Sequence, residues 1–157
     1  MAARRVTRGP EYHVTATFRA PLRYVFAWCT DFQPGDDRLE KESFTRKIIS
    51  RAPRRVVYED LEEGPTGWVW ARHDVALRPP TRWHSESVGS HRVASIDYLL
   101  TPLSETRTRL DLRWRRARTA LGRPVSKRAI ERATTRSWQN FARALEKDYR
   151  KSGRRRK

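Results

Sequence analysis

Residues 130–149 read IERATTRSWQNFARALEKDY, and Ile130, Thr134, Trp138, Phe141, Leu145 and Tyr149 recur in it at steps of four, four, three, four and four. That spacing puts all six on one face of a single long helix. The helix is predicted from about Pro124 to Arg150, with Pro124 or Ser126 near its start and Ser152-Gly153 ending it. A lone helix cannot bury its own apolar stripe, so the preceding chain must supply a surface to cover it.

That surface reads as a sheet. From Phe44 to about Arg118 the chain is predicted to form six strands, separated by Ala52-Pro53, Gly64-Pro65-Thr66-Gly67, Pro79-Pro80, Gly89-Ser90 and Leu103-Ser104-Glu105. Alternation is clearest where Ile96, Tyr98 and Leu100 share a face, and where Leu110, Leu112 and Trp114 alternate with Arg109, Asp111, Arg113 and Arg115. One apolar face and one wet face are what an antiparallel sheet covered on one side requires. Upstream, Glu11–Phe18 forms a seventh strand with Tyr12, Val14, Ala16 and Phe18 on one face. Ala20-Pro21 then opens a short helix carrying Leu22, Val25, Phe26 and Cys29, and Pro34 starts a single turn through Asp36, Asp37 and Leu39. The fold class is therefore α+β: a seven-stranded antiparallel sheet around a long C-terminal helix, with two short helices after the first strand.

A chain of 157 residues suits one domain. Apolar residues are 37% of it and mean hydropathy is -0.89, so the core must rely on 6 Trp, 5 Tyr and 5 Phe. No stretch reaches the roughly 18 consecutive apolar residues of a membrane span, and no apolar run follows the basic residues of Met1 to Pro10, so a cytoplasmic protein is expected. The single cysteine, Cys29, has no partner for a disulfide within the chain and reads as a small buried hydrophobe. The formal charge of +17 is uneven: residues 1–112 hold 18 Lys+Arg against 15 Asp+Glu, and residues 113–157 hold 17 against 3. Arginine outnumbers lysine 29 to 6, a bias that suits bidentate anion binding and that a GC-rich coding sequence would equally produce.

The segment Val14-Thr-Ala-Thr-Phe-Arg-Ala-Pro-Leu-Arg-Tyr-Val-Phe-Ala-Trp-Cys-Thr-Asp-Phe32 resembles the opening strand, Ala-Pro helix start, Val-Phe pair and closing Asp of the START-like (SRPBCC, helix-grip) superfamily, in particular its polyketide cyclase/dehydrase and lipid-transport branch. Tyr98-Leu-Leu-Thr-Pro102 followed by Thr106 to Leu112 resembles its final hairpin. The resemblance covers residues 11–150, which leaves 1–10 as a disordered N-terminal arm and 151–157 as a disordered basic tail. It implies a helix-grip fold with an apolar cavity between sheet and C-terminal helix, and a hydrophobic ligand of the lipid, quinone or polyketide kind. Some members of that superfamily associate with ribosomes, and others are cyclases. These are signatures of architecture, with no catalytic motif among them.

The lining expected on this reading is Trp68, Trp70, Arg72, Trp83, Tyr98, Leu110, Leu112, Trp114, Trp138 and Phe141. Trp68, Trp70, Arg72 and Asp74 lie two apart and share one strand face; if that face is the concave one, aromatic walls and a buried ion pair line the pocket, and otherwise the rings cover an edge of the core. His84 with Glu86, or His73 with Asp74, are the pairs available for cyclase-type proton transfer, and solvated strand positions are the simpler reading of both. The four histidines show no metal-ligand spacing, and no phosphate loop, nucleophile elbow or dinucleotide fingerprint occurs, so no metal, no cofactor and binding rather than catalysis are expected. Arg128, Arg132, Arg136 and Arg143 on the helix, with Arg154, Arg155 and Arg156 in the tail, form a candidate anion-binding ridge. Its partners would be RNA, the ribosome or an anionic membrane surface.

Overall fold

The computed structural model describes residues 6–40, 44–64 and 67–154. Strand β1 (Glu11–Phe18) leads into α1 (Leu22–Cys29), a 3₁₀ turn (Pro34–Asp36) and α2 (Asp37–Glu40). The meander follows as β2 (Phe44–Ala52), β3 (Arg55–Gly64), β4 (Gly67–Arg78), β5 (Arg82–Gly89), β6 (Arg92–Ser104) and β7 (Arg107–Arg118), and α3 (Lys127–Arg154) ends the described chain. Each expected element is present. The proline at 21 stands at the N-cap of α1 rather than at its first turn, while Pro34 does open the 3₁₀ turn. Between β3 and β4, Pro65 and Thr66 lie outside the described residues, and Gly67 takes φ +122°, a backbone region that side chains rarely enter. Ser126 caps α3 by accepting the Ala129 N–H at 3.2 Å, and the helix continues through Ser152-Gly153 to Arg154.

All seven strands form one antiparallel sheet in the order β1-β7-β6-β5-β4-β3-β2. The first strand pairs with the last, Val14 opposite Leu112 and Phe18 opposite Thr108, so the connection through α1 and α2 must cross from one sheet edge to the other. Thr108, fully buried, fixes the start of that crossing by donating its hydroxyl to the Ala20 carbonyl at 2.9 Å. The apolar stripe of α3 is covered as the spacing requires. Ile130 packs with Tyr12, Val14, Leu112 and Trp114, while Leu145, 0% exposed, joins Phe18, Val25, Leu100 and Leu110. Trp138 touches both clusters.

Three acidic side chains anchor the helix to the N-terminal segment. Glu131 accepts the His13 N–H at 3.0 Å, Glu146 accepts the Arg19 N–H at 2.9 Å, and Asp148 accepts the Trp28 indole N–H at 3.1 Å. On the outer face of the sheet, Val6 N–H donates to Ser95 Oγ at 2.8 Å and the Arg115 guanidinium donates to the Gly9 carbonyl, so residues 6–10 lie against the strands. Residues 1–5 and 155–157, the remainder of the expected arm and tail, lie outside the described chain.

Candidate functional site

The period of two and the strand register decide what faces α3. From β2 to β7 one inward row runs Ile48, Tyr58, His73, Ser87, Ala94, Arg116; a neighbouring row contains Arg46, Asp60, Ala71 and Gly89. The middle of both rows is short. Serine, alanine and glycine leave unfilled depth between sheet and helix, whereas the rows nearer Trp83 and Leu100 carry large side chains that meet α1 and α3. Glycine is required at 89, where an added Cβ would come within 2.6 Å of the Trp70 carbonyl oxygen. The result is a cavity of about 1310 Å³ between the concave sheet face and α3. Trp83, Tyr98, Trp114, Trp138 and Phe141 are among its walls, and their rings interlock: Trp83 stacks on Tyr98 at 4.5 Å, and Trp138 meets Tyr98 at 6.1 Å and Phe141 at 5.1 Å.

One end of the cavity holds a matched charge network. Arg46 Nε and Nη2 donate to the two carboxylate oxygens of Asp60, both at 2.8 Å, and Nη1 donates to Asp36 at 2.6 Å. The Arg46 side chain is only 5% exposed, and its guanidinium lies over the Tyr58 ring at 4.4 Å and the Phe44 ring at 5.0 Å. Burial opposes its charge, but the hydrogen bonds to Asp60 and the charges of Asp60 and Asp36 more than reverse that, so its pKa ends above the ordinary value. Burial also raises Asp36. Asp31 is pushed up to about 6, first by burial and then by the neighbouring Asp36 charge. His73 stacks on Tyr58 at 4.6 Å, with Nε2 4.0 Å from Asp60; burial above all, aided by the Arg46 and Arg92 charges, lowers it to about 4, so it stays neutral near pH 7. Phe32, with φ 43°, holds an uncommon left-handed backbone and stacks on Tyr58 at 5.1 Å.

The architecture recurs in solved structures. The START superfamily protein from Mycobacterium smegmatis superposes with a TM-score of 0.64 at 16% identity, over 89% of this chain and 97% of that one. The Zhui aromatase/cyclase from Streptomyces sp. R1128 gives 0.65 at 14% identity, over 88% and 92%. A protein from Thermus thermophilus gives 0.67 at 17%, over 88% and 95%. The chain has the START-like, helix-grip fold. No protein-family model and no curated protein sequence matches it, and at these identities the likeness is one of architecture.

Within the START-like frame the expected site residues separate into two sets. Trp83, Tyr98, Leu112, Trp114, Trp138 and Phe141 line the cavity, and Leu110, 1% exposed, lies in the core beneath it. Trp68 and Arg72 stand on the convex face: their strand neighbours Val69, Ala71 and His73 point inward, and Trp68 is 65% exposed. Trp70 is on that outer row by register while still bordering the cavity. The face shared by Trp68, Trp70, Arg72 and Asp74 is thus the outer one, and Asp74 there pairs with Arg55, whose hydrogen bonds hold its carboxyl below the ordinary value. His73 and Asp74 are split across the sheet, and His84 sits outside between Glu86 at 2.6 Å and Asp97 at 2.7 Å. Neither histidine–acid pair reaches the cavity as a pair, because neighbours in a strand alternate faces. Of the basic ridge, Arg128, Arg132, Arg136 and Arg143 are exposed on α3; Arg154 is its last residue, and Arg155 and Arg156 lie outside the described chain.

Of the ionisable groups that line the cavity, Asp31, Asp36, Arg46, Asp60, Arg92 and Arg116 were absent from the expected site. For Arg116 the signal was present, since the inward period of Leu110, Leu112 and Trp114 continues to it. For Arg46 and Asp60 it was not, because their pairing depends on a strand register that only the folded sheet defines.

Proposed function

We propose that the protein binds a hydrophobic small molecule, of the lipid, quinone or polyketide kind, in the cavity between sheet and α3. The observation that carries this is the cavity itself: about 1310 Å³ bounded by interlocked aromatic rings in a chain otherwise poor in apolar residues. The likeness to a START superfamily protein and to an aromatase/cyclase supports the ligand class. Native mass spectrometry of the purified chain, followed by solvent extraction, should recover a bound apolar molecule, and titration with a panel of lipids, quinones and aromatic polyketides should quench tryptophan emission saturably. No recovered ligand together with no saturable binding across the panel would refute the reading.

A second reading rests on the opposite side of α3. Arg128, Arg132, Arg136, Arg143 and Arg150 fall at helical spacing on one exposed stripe. The three acids of residues 113–157 are turned toward the body of the protein, with Lys127 on Glu131 at 3.7 Å the ion pair they make among the described residues. Such a stripe suits the phosphate backbone of RNA. Fluorescence anisotropy with a single-stranded RNA should show affinity falling steeply between about 50 and 200 mM salt, with the log–log slope reduced by roughly one for each of Arg128, Arg132 and Arg136 replaced by Gln. Absence of binding at low salt would dismiss it.

A further inference from the structure

On β6 and β7 the cavity lining includes two arginines, Arg92 and Arg116, that have no acid partner among the described residues. Arg116 ends the inward row of β7 and Arg92 begins that of β6. Arg116 is directly opposite Ala94, which makes Arg92 its diagonal neighbour across the two strands, a separation of roughly 7–8 Å between such positions. Neither makes an ion pair or hydrogen bond with any side chain among the described residues. Around them the floor is short, with Ala94, Ser87 and Gly89, so the guanidinium groups border open cavity rather than packed atoms.

Arg92 is exposed and Arg116 half-buried, so the pair stands where the cavity meets solvent. Burial, and then the charge of Arg92, lower the pKa of Arg116. In the empty protein two neighbouring cations facing a partly apolar space are mutually repulsive and partly desolvated, a local conflict that a fold tolerates mainly where a ligand resolves it. Arginine forks also match the planar oxygens of carboxylate and phosphate in a way a point cation does not.

We propose that Arg92 and Arg116 form an anion site at the mouth of the cavity, and that the ligand is an amphiphile whose carboxylate or phosphate they hold while its apolar body lies against Trp114, Tyr98 and Trp138. This rests on the cavity reading above and narrows the ligand to a charged subclass. It also orients the ligand: the anionic group sits at the Arg92–Arg116 pair and the apolar body lies along the aromatic rings.

The test is calorimetric titration of the full chain with decanoate, decyl phosphate and decanol, repeated on Arg92→Gln, Arg116→Gln and the double variant. In the wild type at least one anion binds about tenfold or more tighter than decanol, the scale of a charge-assisted hydrogen-bond pair, and the tighter of the two names the group preferred. The double variant loses that preference to within about threefold while its decanol affinity is unchanged. Equal affinity of the wild type for decanol and both anions would overturn the anion site and leave the cavity reading standing. Binding of none of the three would overturn both. Thermal melts of the empty proteins supply a readout independent of ligand: the double variant melts at or above the wild type, and a lower melting temperature would show that the pair is already compensated within the protein.

Discussion

Replacing Arg46 with Leu is the sharpest probe of the charge network. The variant retains the carboxylates of Asp60 and Asp36, each about 20% exposed, and removes the cation that accounts for three hydrogen bonds of 2.6 to 2.8 Å. Breaking a buried pair by deleting one partner costs about 3–5 kcal/mol, mostly as the penalty of the charge left behind. For a domain of this size 1 kcal/mol moves the melting temperature by roughly 2–4 °C, so a fall of about 6–20 °C is expected at pH 7.5. The deficit must also depend on pH. Burial already raises the pKa of Asp36, and without the opposing charge of Arg46 it rises further. Stability tied to a raised carboxyl is fully present below the unfolded pKa and is lost as pH rises through the folded one. The variant should therefore approach the wild type as pH falls toward 4. Arg46→Lys keeps the charge but not the fork, and should fall between the two. Differential scanning fluorimetry across pH 4–8 measures all three proteins. A melting temperature within 2 °C of wild type at pH 7.5, or a deficit constant over that range, would refute the assignment of these groups as a coupled, partly buried network.

Asp31→Asn mimics the protonated carboxyl that the fold favours up to about pH 6, so its melting temperature relative to wild type should rise between pH 4 and 7.5; a pH-independent difference would contradict the raised pKa. Ser85 has a buried hydroxyl with no hydrogen-bond partner among the described residues, and Ser85→Ala should leave stability unchanged or raise it by about 1 kcal/mol, which a loss of that size in urea unfolding would contradict. Trp68 is 65% exposed on the convex face, so Trp68→Ala should leave decanoate and decanol affinities within about twofold of wild type, whereas a tenfold loss would place it in the site.

The fold was legible because its largest features are periodic. The stripe from Ile130 to Tyr149 demands a covering surface, and the turn chemistry between Ala52 and Glu105 leaves only a meander to provide it. Which face each strand turns inward was legible only where size and polarity agree. In Trp114 and Tyr98 they do, and both line the cavity. In the run Gly-Trp-Val-Trp-Ala from residue 67 they disagree: the largest residues, Trp68 and Trp70, belong to the convex row, and Val69 and Ala71 to the concave one. A cavity reverses the usual rule that bulk marks the core, because open space requires short side chains on its floor. Inward charges were hidden for a related reason. An alternating pattern assigns polar residues to water, and whether Arg46 finds Asp60, or Arg116 finds no acid among the described residues, is a property of register rather than of period.

The two arginine environments in the cavity lining bear most directly on function. Arg46 is more deeply buried than Arg116, yet only Arg46 is matched, by two carboxylates and two aromatic faces. If burial alone governed charge placement, the half-buried Arg116 would be expected to draw an acid from the neighbouring strands, and Ala94 opposite it could have been one. Instead the inward acids Asp60, Asp36 and Asp31 gather around Arg46, and the acids of α3 turn toward β1 and α1. The cavity lining thus holds a neutralised cation at Arg46 and, at Arg92 and Arg116, two arginines without an acid partner among the described residues. An uncharged ligand would make no use of that pair, whereas an amphiphile with one anionic end would be held in a single orientation by it.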